Sequence, residues 1–374
     1  MMKGQGGQSC PHPTVLPSYR PTVLPSRFHG MPGEPLTERQ LRVLEAVVQT
    51  YIETAEPAGS QTIASRFGLG VSPATIRNAM SELEDKGFLY HPHTSAGRIP
   101  TDRAYRLYVD NLMQLSPPSH EEQNTIRQGL PQARNELEEI LRKAAQVLSV
   151  LTQELGVAVA PALDSLVLER LELVQVGSDR LLLVFNLRSG VVRTIFVQVP
   201  VTIPAEVVHR VTGILNERLS GLTLKEIRTT LGDRLRDADH SESGGRLLNI
   251  FIEEGDDIFD LAGDQGQILL GTAQMLVDQP EFSSNSRMRD LLDLTERRDL
   301  LRKALEDRRG GGLNISIGAE NRDARLTDFT LVTSSYRAGN VTGVIGVLGP
   351  TRMPYEKIIG LVTHTTSLVE GLLE

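Results

Sequence analysis

Cysteine is almost missing from this 374-residue chain; the one residue is Cys10, close to the N-terminus. That excludes a disulfide, a thiolate metal site and a cysteine nucleophile in the folded part, and a reducing cytoplasm fits. Tryptophan is absent and aromatics make up only 4 %, which argues against a platform that stacks single-stranded bases. No stretch approaches the roughly 18 consecutive apolar residues of a membrane span. The first residues offer no apolar run beyond Val15-Leu16 and Val23-Leu24, so neither a signal peptide nor a membrane partner is expected. Signatures of catalysis are missing too. There is no G-x-x-x-x-G-K-[ST] loop, no H-E-x-x-H and no G-x-S-x-G. The acidic run Glu253-Glu254-Gly255-Asp256-Asp257 lacks the alternating ligands of a calcium loop, and the eight histidines do not pair at metal-ligand spacing. No catalytic residue, metal or cofactor is therefore expected, and the chain reads as a non-enzyme. An excess of positive charge is likewise lacking, with a formal net charge of −8. This excludes a chain that is basic throughout but not a local basic surface on one module.

What is present is enough chain for two or three domains, with 40 % apolar residues to build their cores. Residues 1–35 are rich in Pro, Gly, Gln and Ser and contain the doublet Thr14-Val15-Leu16-Pro17-Ser18 and Thr22-Val23-Leu24-Pro25-Ser26, which reads as a disordered extension. Order begins at Thr37, a capping box with Gln40, and a helix with Leu41, Leu44, Val48 and Tyr51 inward runs to about Thr54. A second short helix starts at Ser60, and a third is capped by Ser72 with Pro73 at its first position and Gly87 after its end. Phe88-Leu89-Tyr90 is a strand candidate, His91 to Pro100 is turn chemistry, and Thr101 opens a fourth helix. Ser116-Pro117-Pro118-Ser119 is the clearest linker. Beyond it the periodicity predicts a long amphipathic helix over 120–155, interruptible at Gly129-Leu130-Pro131, then strands over 166–176, 180–187 and 191–199. Helical periodicity covers 204–280 and 287–307. Strands return at 313–317, 328–336 and 341–348, and a final helix begins at Pro354. Strands on both sides of a helical block suggest an α+β domain with an insertion. Gly343, Gly346 and Gly349 follow no nucleotide-loop spacing and read as a strand permitting close packing.

The third helix carries the most informative pattern. On a helical wheel Ile76, Ala79, Met80 and Leu83 face inward. Ala74, Asn78 and Ser81 lie opposite, flanked by Thr75, Arg77 and Glu82. Asn pairs bidentately with adenine, Arg with guanine, and Ala or Thr meets a thymine methyl. The helix N-terminus with the hydroxyls of Ser72 and Thr75 favours a phosphate. A solvated helix face is the plain alternative. Downstream, Thr94, Ser95, Gly97 and Arg98 form a polar turn ending in a cation, suited to gripping the DNA backbone. His91 and His93 read as exposed imidazoles. Arg103 and Arg106 either line the same surface or are solvent-facing helix charge.

LTERQ at 36–40, TAEPAGS at 54–60, GVSPATIRNAMSELE at 70–84, HTSAGRIPTD at 93–102 and YRLYVD at 105–110 together closely resemble the heat-inducible transcription repressor family. The resemblance implies a multidomain α+β chain: a winged helix-turn-helix at 36–115, a GAF-like domain in two parts at 120–203 and 281–374, and a dimerisation domain inserted at 204–280. It implies a homodimer on double-stranded operator DNA, an inverted repeat upstream of heat-shock chaperone genes, with chaperonin as the partner that keeps the repressor active until heat stress releases it. Localisation would be cytoplasmic, at the nucleoid. The alternative is a transcription factor whose GAF-like domain senses a small molecule. The extension before the first helix departs from the family's compact start. Tyr105 and Tyr108 are expected at the seam between the winged helix and the rest, and the leucines of 291–305 in a core or a subunit interface.

Overall fold

The computed structural model describes residues 35–92, 97–131, 137–161, 164, 166–188, 192–199, 203–236, 238, 241–255, 258–259, 266–308, 310–338 and 341–373. The Pro-rich extension, apart from Pro35, lies outside them. The N-terminal unit is α1 (Glu38–Thr54), α2 (Ser60–Phe67), α3 (Pro73–Asp85), β1 (Leu89–Tyr90), β2 (Ile99–Pro100) and α4 (Asp102–Leu107), which continues as a π-helical turn over Tyr108–Leu112. After the linker, Ser119 and Glu122 form a capping box that opens α5 (His120–Gly129), and α6 (Leu137–Thr152) follows. The expected long helix is thus two helices, divided at the Gly-Leu-Pro sequence, since proline removes a helical donor and clashes with the preceding turn.

The body is built on a five-stranded antiparallel sheet in the order β7-β3-β10-β9-β8: β7 is Ile268–Leu270, β3 Leu155–Val159, β10 Val341–Pro350, β9 Phe329–Ala338 and β8 Leu313–Ile317. Both sides are covered, so alternate residues feed separate cores. Leu155, Val157, Val159, Phe329, Leu331, Val344 and Leu348 pack in one buried cluster with Leu276, Leu291, Leu294, Leu301 and Leu305. The latter come from α10 (Gln274–Val277), α11 (Asn285–Glu296) and α12 (Arg298–Glu306). Ala158, Val332, Tyr336, Ile345 and Val347 face the other way, towards α6 and α13 (Tyr355–Leu373). The leucines of 291–305 are therefore mainly core, with Leu292 left exposed. Two positions of β10 are glycine because no side chain fits there. A Cβ at Gly343 would overlap the Tyr336 ring, and one at Gly346 would overlap the Val332 carbonyl oxygen.

Two of these strands differ from expectation. β3 begins where the long helix is read to end and occupies a stretch assigned no strand, and β7 falls inside the block of helical periodicity. Both are short apolar runs, and β3 is buried at all five positions, so they lack the alternation that distinguishes a half-exposed strand from a helix.

A second sheet, β4-β5-β6 (Leu168–Gln175, Arg180–Leu187 and Val192–Gln198), is also antiparallel and pairs with no strand of the first. Leu181, Leu183, Phe185 and Leu187 are buried. They share a buried cluster with residues of α7 (Ala205–Leu219), α8 (Leu224–Leu235) and α9 (Glu242–Glu253), α7 packs on β4, and Phe185 meets Phe259 edge-on at 5.4 Å. Asn216 of α7 ties the two layers by bonding both the N–H (2.8 Å) and the C=O (2.7 Å) of Leu171. The expected boundary at 203/204 falls between β6 and α7, where α7 packs on β4. In chain order β4–β6 and α7–α9 all lie between β3 and β7, which pair with each other.

The winged unit is bolted to the body by buried polar contacts. Arg106, expected on the DNA surface or in solvent, is only 8 % exposed. It donates from Nε to Glu320 Oε1 (2.7 Å), from Nη1 to Asp110 (3.0 Å) and from Nη2 to the Ile315 carbonyl (2.7 Å). Burial alone would depress its pKa; the Glu320 and Asp110 bonds outweigh that and raise it. Arg352 repeats the device, gripping Glu281 through Nε (2.5 Å) and Nη2 (3.0 Å) and the Ile52 carbonyl of α1 through Nη1 (2.8 Å). Asp102 accepts from the Ala319 N–H at 2.9 Å. Tyr105 packs on Tyr355 (5.9 Å between rings), and Tyr108 donates to Glu356, so both tyrosines form the seam.

Candidate nucleic-acid interface

Local chemistry shapes the three N-terminal helices. Thr37 and Gln40 cap α1 reciprocally, Thr37 N–H to Gln40 Oε1 at 2.9 Å and Gln40 N–H to Thr37 Oγ1 at 3.3 Å. Ala55 closes α1 in the left-handed region (φ 56°), with its N–H on the Tyr51 carbonyl, and the chain turns into α2. Ser72 caps α3 by accepting from the Thr75 N–H (3.2 Å), and Pro73 occupies the first turn, where no donor is needed. Gly87 ends the segment at φ +74°, a conformation that a Cβ disfavours.

The wheel reading of α3 holds. Ile76, Ala79, Met80 and Leu83 are buried against α1 and α2, whereas Ser72, Ala74, Arg77, Asn78 and Ser81 are exposed and Thr75 is half-exposed. Arg77 and Asn78 make no side-chain bond to the described residues, so their donors are presented outward. Ser72 Oγ and Thr75 Oγ1 lie 3.0 Å apart at the positive end of the helix dipole. Residues 36–115 contain eight Lys and Arg against nine Asp and Glu, so the module is not basic as a whole. Its acids are kept from the first two turns of α3, where Arg77 is the only charge. Glu82 takes Gln40 Nε2 at 2.6 Å and Glu84 faces Arg98, both on the far half of the helix.

The wing begins as β1 paired with β2, Leu89 with Pro100 and Tyr90 with Ile99. Ala58 adds an isolated antiparallel bridge, exchanging two 2.9 Å backbone bonds with Arg98. Gly97 is buried at this junction, and a Cβ there would overlap the Pro57 carbonyl oxygen, so its N–H belongs to the wing's base rather than to an outward surface. The Arg98 guanidinium turns back over the module: Nε lies 2.8 Å from Glu84 Oε2 and Nη1 2.7 Å from His91 Nδ1. Thr94, Ser95 and His93 lie outside the described residues. Arg103 lies over the Phe88 ring (4.4 Å) and caps the end of α3 through the Lys86 carbonyl at 2.9 Å.

Residues 33–97 match the LexA DNA binding domain, and residues 138–359 match the HrcA protein C terminal domain. The heat-inducible transcription repressor HrcA of Chlorobium phaeobacteroides (strain BS1) is 39 % identical over 340 residues, covering 88 % of this chain and 96 % of that protein. The chain belongs to the HrcA family of heat-inducible transcription repressors. The HrcA of Chlorobaculum tepidum is also 39 % identical, over 90 % of this chain and 98 % of its own length. A crystal structure described as a hypothetical protein, 23 % identical, superposes with a TM-score of 0.64 over 91 % of this chain and 99 % of that one, which supports the same fold. The HrcA family is one of DNA-binding regulators, not enzymes. Among the described residues no helix is long and apolar enough to cross a membrane.

Positions that matter for the interface and that the pattern of residues did not single out are Glu320, Arg352 and Glu281, together with the partners of Gln40 and Arg106. Gln40 carried a local signal, its place in the capping box. The Arg106–Glu320 and Arg352–Glu281 pairs span 214 and 71 residues, distances over which periodicity carries no information.

Proposed function

We propose that this HrcA-family chain is a cytoplasmic homodimer that represses heat-shock chaperone genes by occupying an inverted-repeat operator on double-stranded DNA. α3 enters the major groove. Arg77 and Asn78 read base edges, Ala74 and Ser81 allow close approach, and Ser72 and Thr75 hold a phosphate at the helix N-terminus. Thr94 and Ser95 grip the neighbouring backbone from the wing, with Gly97 and Arg98 bracing the wing against Pro57 and Glu84. The observation that carries this reading is the division of α3 into one wholly buried face and one face of outward-facing, DNA-compatible side chains.

The dimer is assigned to the unit between β3 and β7, interrupting a GAF-like body. Its sheet turns a row of apolar residues outward. Val174, Leu182 and Phe196 stand opposite one another across the three strands, and Val174 is 44 % and Phe196 64 % exposed. A contiguous apolar patch of this kind marks an association surface. Chaperonin acts as the activity partner, and heat-damaged protein competes for it. Fluorescence anisotropy with an operator duplex and a scrambled duplex, with and without chaperonin, tests the reading. The expected results are operator preference, a steep salt dependence and a gain in active fraction with chaperonin. Equal affinity for both duplexes at physiological salt rejects it.

A further inference from the structure

Among the described residues of the body, the cation Arg308 has no counter-ion. Arg308 follows α12 and turns its guanidinium into a depression of about 990 Å³ between that helix and β8. Nη2 donates to Ser316 Oγ at 2.8 Å and to Asn321 Oδ1 at 3.3 Å. Nη1 is shielded from solvent and has no partner. Among the described residues no carboxylate lies within ion-pairing distance of Arg308. The two acids near enough to favour its charge are engaged elsewhere, Asp307 with Arg322 at 2.7 Å and Glu320 with Arg106 at 2.5 Å. Desolvation prevails, and the guanidinium is lowered to about 10.

The geometry around it is rigid. Asn321 is 6 % exposed, and its Nδ2 is fixed by three backbone carbonyls, Gly318 (3.0 Å), Leu326 (2.9 Å) and Phe329 (2.8 Å). That leaves its Oδ1 turned to Arg308 and holds the guanidinium in place. Lys303 and Arg298 line the same depression, are exposed, and make no side-chain bond to the described residues. Asn314 adds an amide from β8. A desolvated cation without an ion pair is costly for the empty protein; Glu296, Asp299 and Asp323 also line the depression, so an oxyanion is matched only on the side where the N–H groups of Arg308, Lys303 and Asn314 lie.

We propose that this depression is a binding site for a small oxyanion-bearing molecule, with its phosphate or carboxylate on Arg308 and Lys303. It is separate from the DNA surface and does not depend on the repressor reading.

The test is thermal unfolding of the full chain with sodium phosphate, sodium succinate or sodium chloride at matched ionic strength, with titration calorimetry for the anion that responds. Phosphate and succinate separate a phosphoryl from a carboxyl ligand. Wild type is expected to gain melting temperature over chloride with at least one of them. Arg308→Met is expected to match or exceed wild type in chloride, since it removes an unpaired buried charge, and to lose the anion-specific gain, with affinity down at least tenfold. Lys303→Ala weakens the response, and Arg77→Ala, at the DNA surface, keeps it. General salting-out by phosphate affects every variant alike. Arg308→Met retaining the full gain, or wild type responding equally to all three salts, overturns the proposal.

Discussion

Arg106→Met tests whether the winged helix is fixed to the body or merely tethered. Methionine keeps an apolar stem of similar length and removes the guanidinium. Glu320, 14 % exposed at its side chain, then loses a two-pronged partner, and the Ile315 carbonyl loses its donor. Breaking a buried ion pair from one side costs about 3–5 kcal/mol. Glu320 retains the Ile317 N–H at 2.9 Å, and Asp110, 27 % exposed, can rehydrate. We therefore expect a loss of about 2–4 kcal/mol of resistance to opening of the seam, that is, amide exchange in α4 faster by about thirty- to nine-hundredfold at 1.36 kcal/mol per decade. Hydrogen exchange followed by mass spectrometry reads this locally, which matters because one global unfolding energy is ill-defined for a multidomain chain. Arg106→Met/Glu320→Leu removes both charges and should return exchange to within about tenfold of wild type. Operator affinity should fall in the single variant and recover in the double, because two recognition helices read half-sites only at fixed separation. Exchange in the single variant within fivefold of wild type, or a double variant worse than the single, would refute the argument.

Arg77→Ala and Asn78→Ala should each cost about 1–3 kcal/mol of operator affinity, with little loss on a scrambled duplex and an unchanged melting temperature; intact operator preference in both would show that α3 is not the reader. Phe196→Asp places a charge in the outward apolar row of the second sheet and should shift sedimentation at micromolar concentration towards monomer; an unchanged dimer would move the interface elsewhere. Glu154 is 2 % exposed, and burial, only partly offset by Gln279 at 3.0 Å and by Arg352, raises its carboxyl well above the ordinary range. The folded state then holds a proton that the unfolded state releases, so stability present below the unfolded pKa of about 4.3 declines as pH rises through the raised value. Glu154→Gln should remove that slope, gaining stability over wild type between pH 5 and 8; a constant difference across that range would contradict a buried neutral acid.

Much of the candidate site is legible in the sequence because its determinants are local. The Ser72-Pro73 start, the Gly87 stop and the 3.6-residue spacing of Ile76, Ala79, Met80 and Leu83 define α3 and, by exclusion, its outward stripe. Arg98 marks where this reasoning ends. As a cation at the close of a polar turn it reads as a free hand for DNA, whereas Glu84 and His91 hold its guanidinium against the module. Arg106 is a sharper case, since its helical neighbours give no hint of Glu320, 214 residues later. In the body, β3 and β7 escape notice because a strand buried on both faces has no alternation to display.

Taken alone, the sequence determined the element types with strong periodicity, the caps, the face of α3 that meets solvent and the family to which the chain belongs, all of which depend on residues within a turn or two of one another or on motifs in fixed order. Only the tertiary structure decided which strands share a sheet, that β4–β6 go with α7–α9, that Arg106 and Arg352 fasten the winged helix, and that Arg308 is left without a counter-ion. Those outcomes turn on partners far apart in the chain, where burial removes water and a charge is stable only if another group arrives to meet it.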